Sequence, residues 1–379
     1  MTTTNTPHAA PLTPALHADG HVLAEVRGRI GVITLNRPGA LNALSLNMVR
    51  DLTTTLLHWH DEDQVMAVVV LGAGREGKAP AFCAGGDIRF FHQAALAGDP
   101  RLEDFFTEEY ALNHLIHHYP KPYIALMDGV CMGGGMGISQ GAALRVATEH
   151  SKLAMPETHI GLFPDVGGGW FLSRCPGHMG EYLALTGHVL DADNAVHQGM
   201  ADLRVTAADL PAMLAELCAT PWDDEDTLLD AVQAWAQPVG ADGLAEHQPE
   251  IDAVFSLPDL ASILQALEAR PGTWARQTLA ALQKRSPLMM AVTLEQVRRA
   301  RQMSLAEDLR MERDLVRHCF QLRPGTASET VEGIRALVID KDHQPRWNPS
   351  HAEDVSPEMV QAFFASPWPE HVHPLRELD

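Results

Sequence analysis

The chain has 379 residues with 49 acidic against 28 basic side chains, a net charge of −21; its long-range field repels phosphate backbones, which excludes a general nucleic-acid partner. No apolar run approaches the ~20 residues of a membrane span, so a soluble protein with no membrane partner is expected. Cys83, Cys131, Cys175, Cys218 and Cys319 are odd in number and scattered, which argues against a disulfide framework or zinc ribbon and points to a reducing, cytoplasmic setting.

Residues 1–20 are Thr-, Pro- and Ala-rich without Lys, Arg or an apolar stretch, so they read as a disordered N-terminus and not as a targeting peptide. Val22 to Leu35 alternate about Gly28-Arg29, the pattern of a β-hairpin. Leu46, Val49, Leu52, Leu56 and Leu57 recur at helical spacing, and Val65 to Leu71 form a short buried strand. The unit repeats: Phe105, Tyr110, Leu112 and Ile116 predict a helix, Pro122 to Met127 a strand, Met136 to Ala143 a helix after Gly133-Gly134-Gly135, and Leu144 to Ala147 a strand. Such alternation implies an α/β core with a parallel sheet over residues 21–220. From 221 to 379 helices dominate. Leu228, Leu229, Val232 and Trp235 share one face, and Leu260, Ile263, Leu264 and Leu267 another. Ser286-Pro287 and the capping box Ser304-Leu305-Ala306-Glu307 open two more helices. The 20 histidines fall in no metal-ligand spacing, so no metal is expected.

Two glycine turns carry the chemistry. Gly85-Gly86 follows a strand-like segment and can expose the Gly86 N–H, although for the pair taken alone a plain strand-to-helix turn is the commoner explanation. Gly133-Gly134-Gly135 precedes a helix, so free N–H groups and the positive end of the dipole face whatever sits there, with close helix–sheet packing as the other explanation. Together they form a candidate oxyanion hole. Gly137, one turn past Gly134, offers no side chain there, so a carboxylate has to come from elsewhere. Glu157 behind Pro156 and Asp165 behind Phe163-Pro164 are the candidates, since their apolar neighbours raise a carboxyl pKa toward working pH. The structural alternatives are a surface acid for Glu157 and an N-cap of the following helix for Asp165. The doublet Glu108-Glu109 lies on a largely apolar helix; a solvated face is the ordinary expectation, and one inward carboxylate the functional one. Cys83, between Phe82 and Ala84, reads as a core cysteine.

The segments Asn36-Arg37-Pro38, Leu41-Asn42-Ala43-Leu44, Ala84-Gly85-Gly86-Asp87 and Gly129 with Gly133-Gly134-Gly135 together resemble the crotonase (enoyl-CoA hydratase/isomerase) superfamily. Within it, residues 129–139, residues 156–174 and Glu332 to Pro349 look like the 3-hydroxyisobutyryl-CoA hydrolase branch. The resemblance runs from about residue 22 to the C-terminus. It implies a ββα-spiral core that binds acyl-CoA, with the thioester carbonyl between the N–H groups of Gly86 and Gly134. It further implies CoA running along Arg37, Ala43 and the Gly86-Asp87-Ile88 turn, with Arg89 near a CoA phosphate. Glu157 and Asp165 match the catalytic carboxylates of the branch, and Glu109 a substrate-contacting glutamate. Gly137 stands where hydratases carry one of two catalytic glutamates, so thioester hydrolysis is expected over addition of water to a double bond. One departure is Glu329-Thr330, where an Asp-Phe pair is usual. No cofactor beyond the CoA thioester is implied, and homo-oligomers are common in such folds.

Overall fold

The computed structural model describes residues 13–75 and 77–379. Most of the stretch expected to be disordered, residues 1–12, lies outside them. Downstream of it, the His17 N–H and ring Nδ1 both reach Asp51 Oδ1, at 3.0 and 2.7 Å, which ties the incoming chain to the first helix.

Strands β1 (Val22–Arg27) and β2 (Ile30–Leu35) form the expected hairpin, with Arg27 opposite Ile30. Its turn residue Gly28 has φ +61°, and a Cβ there would lie 2.1 Å from the Cys218 carbonyl oxygen, so both conformation and space require glycine. After helix α1 (Leu46–His60), the chain spirals. Strand β3 (Ala67–Gly72) joins β2 in parallel; then β4 (Ala81–Cys83) leaves for a second sheet before α2 (Ile88–Ala97) and α3 (Arg101–His117). Strands β5 (Tyr123–Met127) and β6 (Val130–Met132) repeat this move before α4 (Gly134–Gln140), and β7 (Leu144–Ala147) with β8 (Lys152–Ala154) repeats it before α5 (Gly168–Leu172). With β9 (Leu203–Arg204) the large sheet has the order β1-β2-β3-β5-β7-β9, and the small parallel sheet β4-β6-β8. Each turn of the spiral therefore gives one strand to each sheet, a ββα architecture.

The middle of the large sheet is covered on both faces, which is why β3 and β5 read as continuous apolar runs. Val68, Val70, Ala125 and Met127 point into the main core. Their neighbours Ala67, Val69, Ile124 and Leu126 point the other way, under Met213, Leu217, Leu228 and Val232. Those four come from helices Leu210–Ala219 and Glu225–Gln233, so one covering layer runs straight across position 220. The later helices fold back over the core. Phe320 of helix Leu305–Gln321 packs on Phe106 of α3 at 5.8 Å between ring centroids. That helix starts with the predicted capping box, and Ser286 caps helix Pro287–Ala300 by accepting the Met289 N–H.

Candidate active site

The small sheet explains where the site lies. Its three strands are parallel neighbours, so their C-terminal ends sit side by side, the edge of an open α/β sheet where ligands collect. Gly86, Gly134 and Glu157 each follow one of these ends, after β4, β6 and β8, by two or three residues. The two glycine turns touch: a Cβ built on Gly134 would lie 3.5 Å from the Gly85 carbonyl carbon. Gly85 has φ +104°, a conformation that side chains disfavour. Gly134 begins α4, where the N–H has no intrahelical acceptor, and the Gly86 N–H has no acceptor among the described residues. Both donors are thus free for a ligand oxygen.

Three buried carboxyl groups face these donors. Glu157 opens a 3₁₀ turn just past β8, and its Oε1 would lie 2.8 Å from a Cβ on Gly133. Glu109 comes from α3, with Oε1 2.5 Å from where a Cβ on Gly134 would be. Its neighbour Glu108 points outward into a two-pronged contact with Arg50 at 2.8 and 2.6 Å. The doublet thus divides between the solvent-side face expected by default and the inward one. Glu109 and Glu157 are 2% and 7% exposed, and each leaves one carboxylate oxygen without a partner among the described residues. Buried polar atoms in folded proteins are nearly always satisfied, so two orphan oxygens in one cavity mark a place prepared for a ligand.

Asp165 is the third. The structure overturns its alternative role as an N-cap: Gly167 caps α5, with no side-chain bond, and the Asp165 side chain instead accepts the Tyr110 hydroxyl at 2.8 Å. Glu157 is likewise no surface acid. Burial pushes all three carboxyls up, Asp165 to about 6 against the lowering effect of the Tyr110 hydrogen bond. Glu157 rises further because the Asp165 charge adds to burial, and Glu109 because Asp165 and Glu157 both do. Three carboxyls this close do not all ionise together at neutral pH; they share protons and titrate as a unit.

These groups line one cavity of about 250 Å³ with Ile88, Phe91, Phe106, His159, Leu162 and Leu337 among its walls. Burial lowers His159 to about 4, which keeps it neutral. Of the other predicted residues, Arg37, Ala43 and Asp87 are brought together differently from a row of ligand contacts: the Arg37 guanidinium donates to the Ala43 carbonyl at 3.0 Å and to Asp87 at 2.8 Å. Asp87 also caps α2 by accepting the Phe90 N–H. Arg89 is exposed and does not line the cavity. Cys83 is fully buried with its thiol pushed up by burial, as a core cysteine should be.

Gly137 proves to be filled space. A Cβ there would lie 2.6 Å from Val166 Cβ and 2.9 Å from Asn113 Nδ2. Val166 reaches this place with φ +58°, unusual for a β-branched residue. Sequence reasoning missed Tyr110, Asn113 and Val166 as parts of the site. For the first two a signal existed, since Phe106, Glu109, Tyr110 and Asn113 share one face of α3; for Val166 there was none.

Residues 30–364 match the enoyl-CoA hydratase/isomerase family. The chain is 40% identical over 353 residues to the 3-hydroxyisobutyryl-CoA hydrolase, mitochondrial, of Xenopus tropicalis, covering 92% of this chain and 89% of that protein. It is 38% identical over 357 residues to the protein of the same name from Homo sapiens, covering 92% and 90%. Among solved structures, a carnitinyl-CoA dehydratase from Mycobacterium thermoresistibile superposes with TM-score 0.85 at 36% identity, over 95% of this chain and all of that one. An enoyl-CoA hydratase from Rhodobacter sphaeroides 2.4.1 gives TM-score 0.81 at 38% identity, over 92% and 98%. The chain belongs to the enoyl-CoA hydratase/isomerase family and, within it, to the 3-hydroxyisobutyryl-CoA hydrolase branch.

Proposed function

We propose that the protein hydrolyses the thioester of 3-hydroxyisobutyryl-CoA, or of a closely similar short β-hydroxyacyl-CoA, to the free acid and CoA, a step of valine breakdown. The observation that carries this is the cavity itself: two free backbone donors facing buried carboxyls, with the second helix carboxylate of a hydratase ruled out by Val166 and Asn113 in the space beside Gly137. The thioester oxygen sits between the Gly86 and Gly134 N–H groups. Each donor supplies about 3 kcal/mol to the tetrahedral state, where the oxygen carries charge. Glu157 attacks the carbonyl carbon, releasing the CoA thiolate and leaving a mixed anhydride that water cleaves, or it takes the proton of an attacking water. Asp165, oriented by Tyr110, positions the water and supplies a proton to the thiolate. Glu109 accepts the β-hydroxyl hydrogen through its unpartnered oxygen.

The competing reading is hydration of an enoyl-CoA, because the two solved relatives carry dehydratase and hydratase names. Release of free thiol across a panel of short acyl- and hydroxyacyl-CoAs, followed beside the ultraviolet band of crotonyl-CoA, separates the two. Single turnover in ¹⁸O-labelled water identifies the covalent route when water cleaves the anhydride at the Glu157 carbonyl, which places label in Glu157; the water-base route never does. A Glu157→Gln variant that stays folded and keeps near-wild-type thiol release would remove Glu157 from the scheme.

All five cysteines are free, four of them buried, which suits a reducing compartment; the similar proteins of Xenopus tropicalis and Homo sapiens are named as mitochondrial. Among the described residues no helix is long and apolar enough to cross a membrane.

A further inference from the structure

Behind the loop that carries Asp165 lies a second pair of buried acids, Asp308 and Glu312, one turn apart on helix Leu305–Gln321 and both fully buried. Neither reaches the cavity wall. Glu312 accepts three N–H bonds: from Gly167 at 2.7 Å, from Gly169 at 3.0 Å and from the Gln296 side chain at 3.0 Å. Asp308 accepts one, from Trp170 at 2.8 Å. The same Gln296 amide donates to the Pro164 carbonyl at 2.6 Å. The backbone on either side of Asp165-Val166 is thus bonded to one unit built from two C-terminal helices.

We propose that Glu312, Asp308 and Gln296 form a buried clamp that holds the Pro164–Trp170 segment, and with it Asp165 and the strained Val166, in the working geometry of the site. These are positioning residues, since none lines the cavity, and the proposal rests on the reading of Asp165 given above. A non-glycine residue at φ +58° persists only where its surroundings over-determine it, and bonds at residues 164, 167, 169 and 170 do so. The two acids do not grip equally. Glu312 receives three N–H donors, whereas Asp308 receives one and leaves its Oδ1 unpartnered among the described residues.

This asymmetry gives a test. Glu312→Gln leaves one acceptor oxygen where two are used and turns an NH₂ toward an N–H donor. Asp308→Asn keeps an acceptor for the single Trp170 N–H. Steady-state thiol release from 3-hydroxyisobutyryl-CoA should show Glu312→Gln lowering kcat by about a hundredfold with KM within about threefold, the mark of misplaced groups in an intact binding site. Asp308→Asn should lose less than about fivefold. A Glu312→Gln enzyme with kcat within about threefold of wild type overturns the clamp, and Asp308→Asn falling as far as Glu312→Gln overturns the assignment of its main grip to Glu312. Should Glu312→Gln fail to fold, Gln296→Met decides: cutting the Pro164 bond should lower kcat about tenfold at unchanged KM, and an unchanged kcat overturns the clamp. Asp165→Asn run in parallel keeps the two readings apart. Full activity there removes Asp165 from the reaction, whereas its loss beside an unimpaired Glu312→Gln removes only the clamp.

Discussion

At Gly137, glycine marks both a missing carboxylate and an occupied space. Any side chain there meets Val166 and Asn113, so Gly137→Glu should destabilise the fold by about 1–3 kcal/mol, as overpacked cores do. It should confer no hydration of crotonyl-CoA, as read by thermal melting and by the enoyl ultraviolet band. The carboxyl cluster gives a pH prediction. The Asp165 charge raises Glu157, so removing it with Asp165→Asn lowers the Glu157 pKa. The acid limb of the residual kcat/KM profile should move to lower pH, yet stay above the usual glutamate value of about 4.3 because burial remains. An unmoved limb would show that Asp165 does not act on Glu157. At this scale the sequence was legible for Glu157, Asp165 and the glycine turns, whose flanking prolines and glycines mark turns directly. Spacing alone did not decide between Glu108 and Glu109, which only the family resemblance singled out, because the choice depends on Arg50 from another helix pulling Glu108 outward.

The elements that make the site are the least visible ones. Strands β4, β6 and β8 have three residues each, too short for any period-2 signal, while β3 and β5 of the large sheet read clearly as apolar runs. What positions Gly86, Gly134 and Glu157 together is the pairing of those short strands, and pairing is not written in any one segment. Arg37 shows the same dependence on tertiary contact. Expected beside CoA, it also knots the Ala43 loop to the cap of α2. Arg37→Ala should therefore raise KM for acyl-CoA several-fold by loosening both walls, with a smaller change in kcat. Equal losses in kcat and kcat/KM at constant KM would place Arg37 in the chemistry instead.

The whole molecule is tied together across the change in composition near residue 220. Helix Glu225–Gln233 shares a covering layer with helix Leu210–Ala219, and Glu312 and Gln296 bond the loop of Asp165 from far along the chain. A chain ended after residue 220 would expose the underside of the large sheet and leave Gly167, Gly169 and Trp170 without their acceptors. It should show no cooperative melting transition by circular dichroism, and a sharp transition would make the helical region dispensable for folding. Composition does register the switch from mixed to helical structure, but not that those helices fold back to complete the core. The most direct test of the proposed activity is release of free thiol by the wild-type enzyme from 3-hydroxyisobutyryl-CoA, measured beside loss of the enoyl band of crotonyl-CoA. Rapid thiol release with no change in the enoyl band is the predicted result, and hydration of crotonyl-CoA without thiol release from the hydroxyacyl thioester would contradict it.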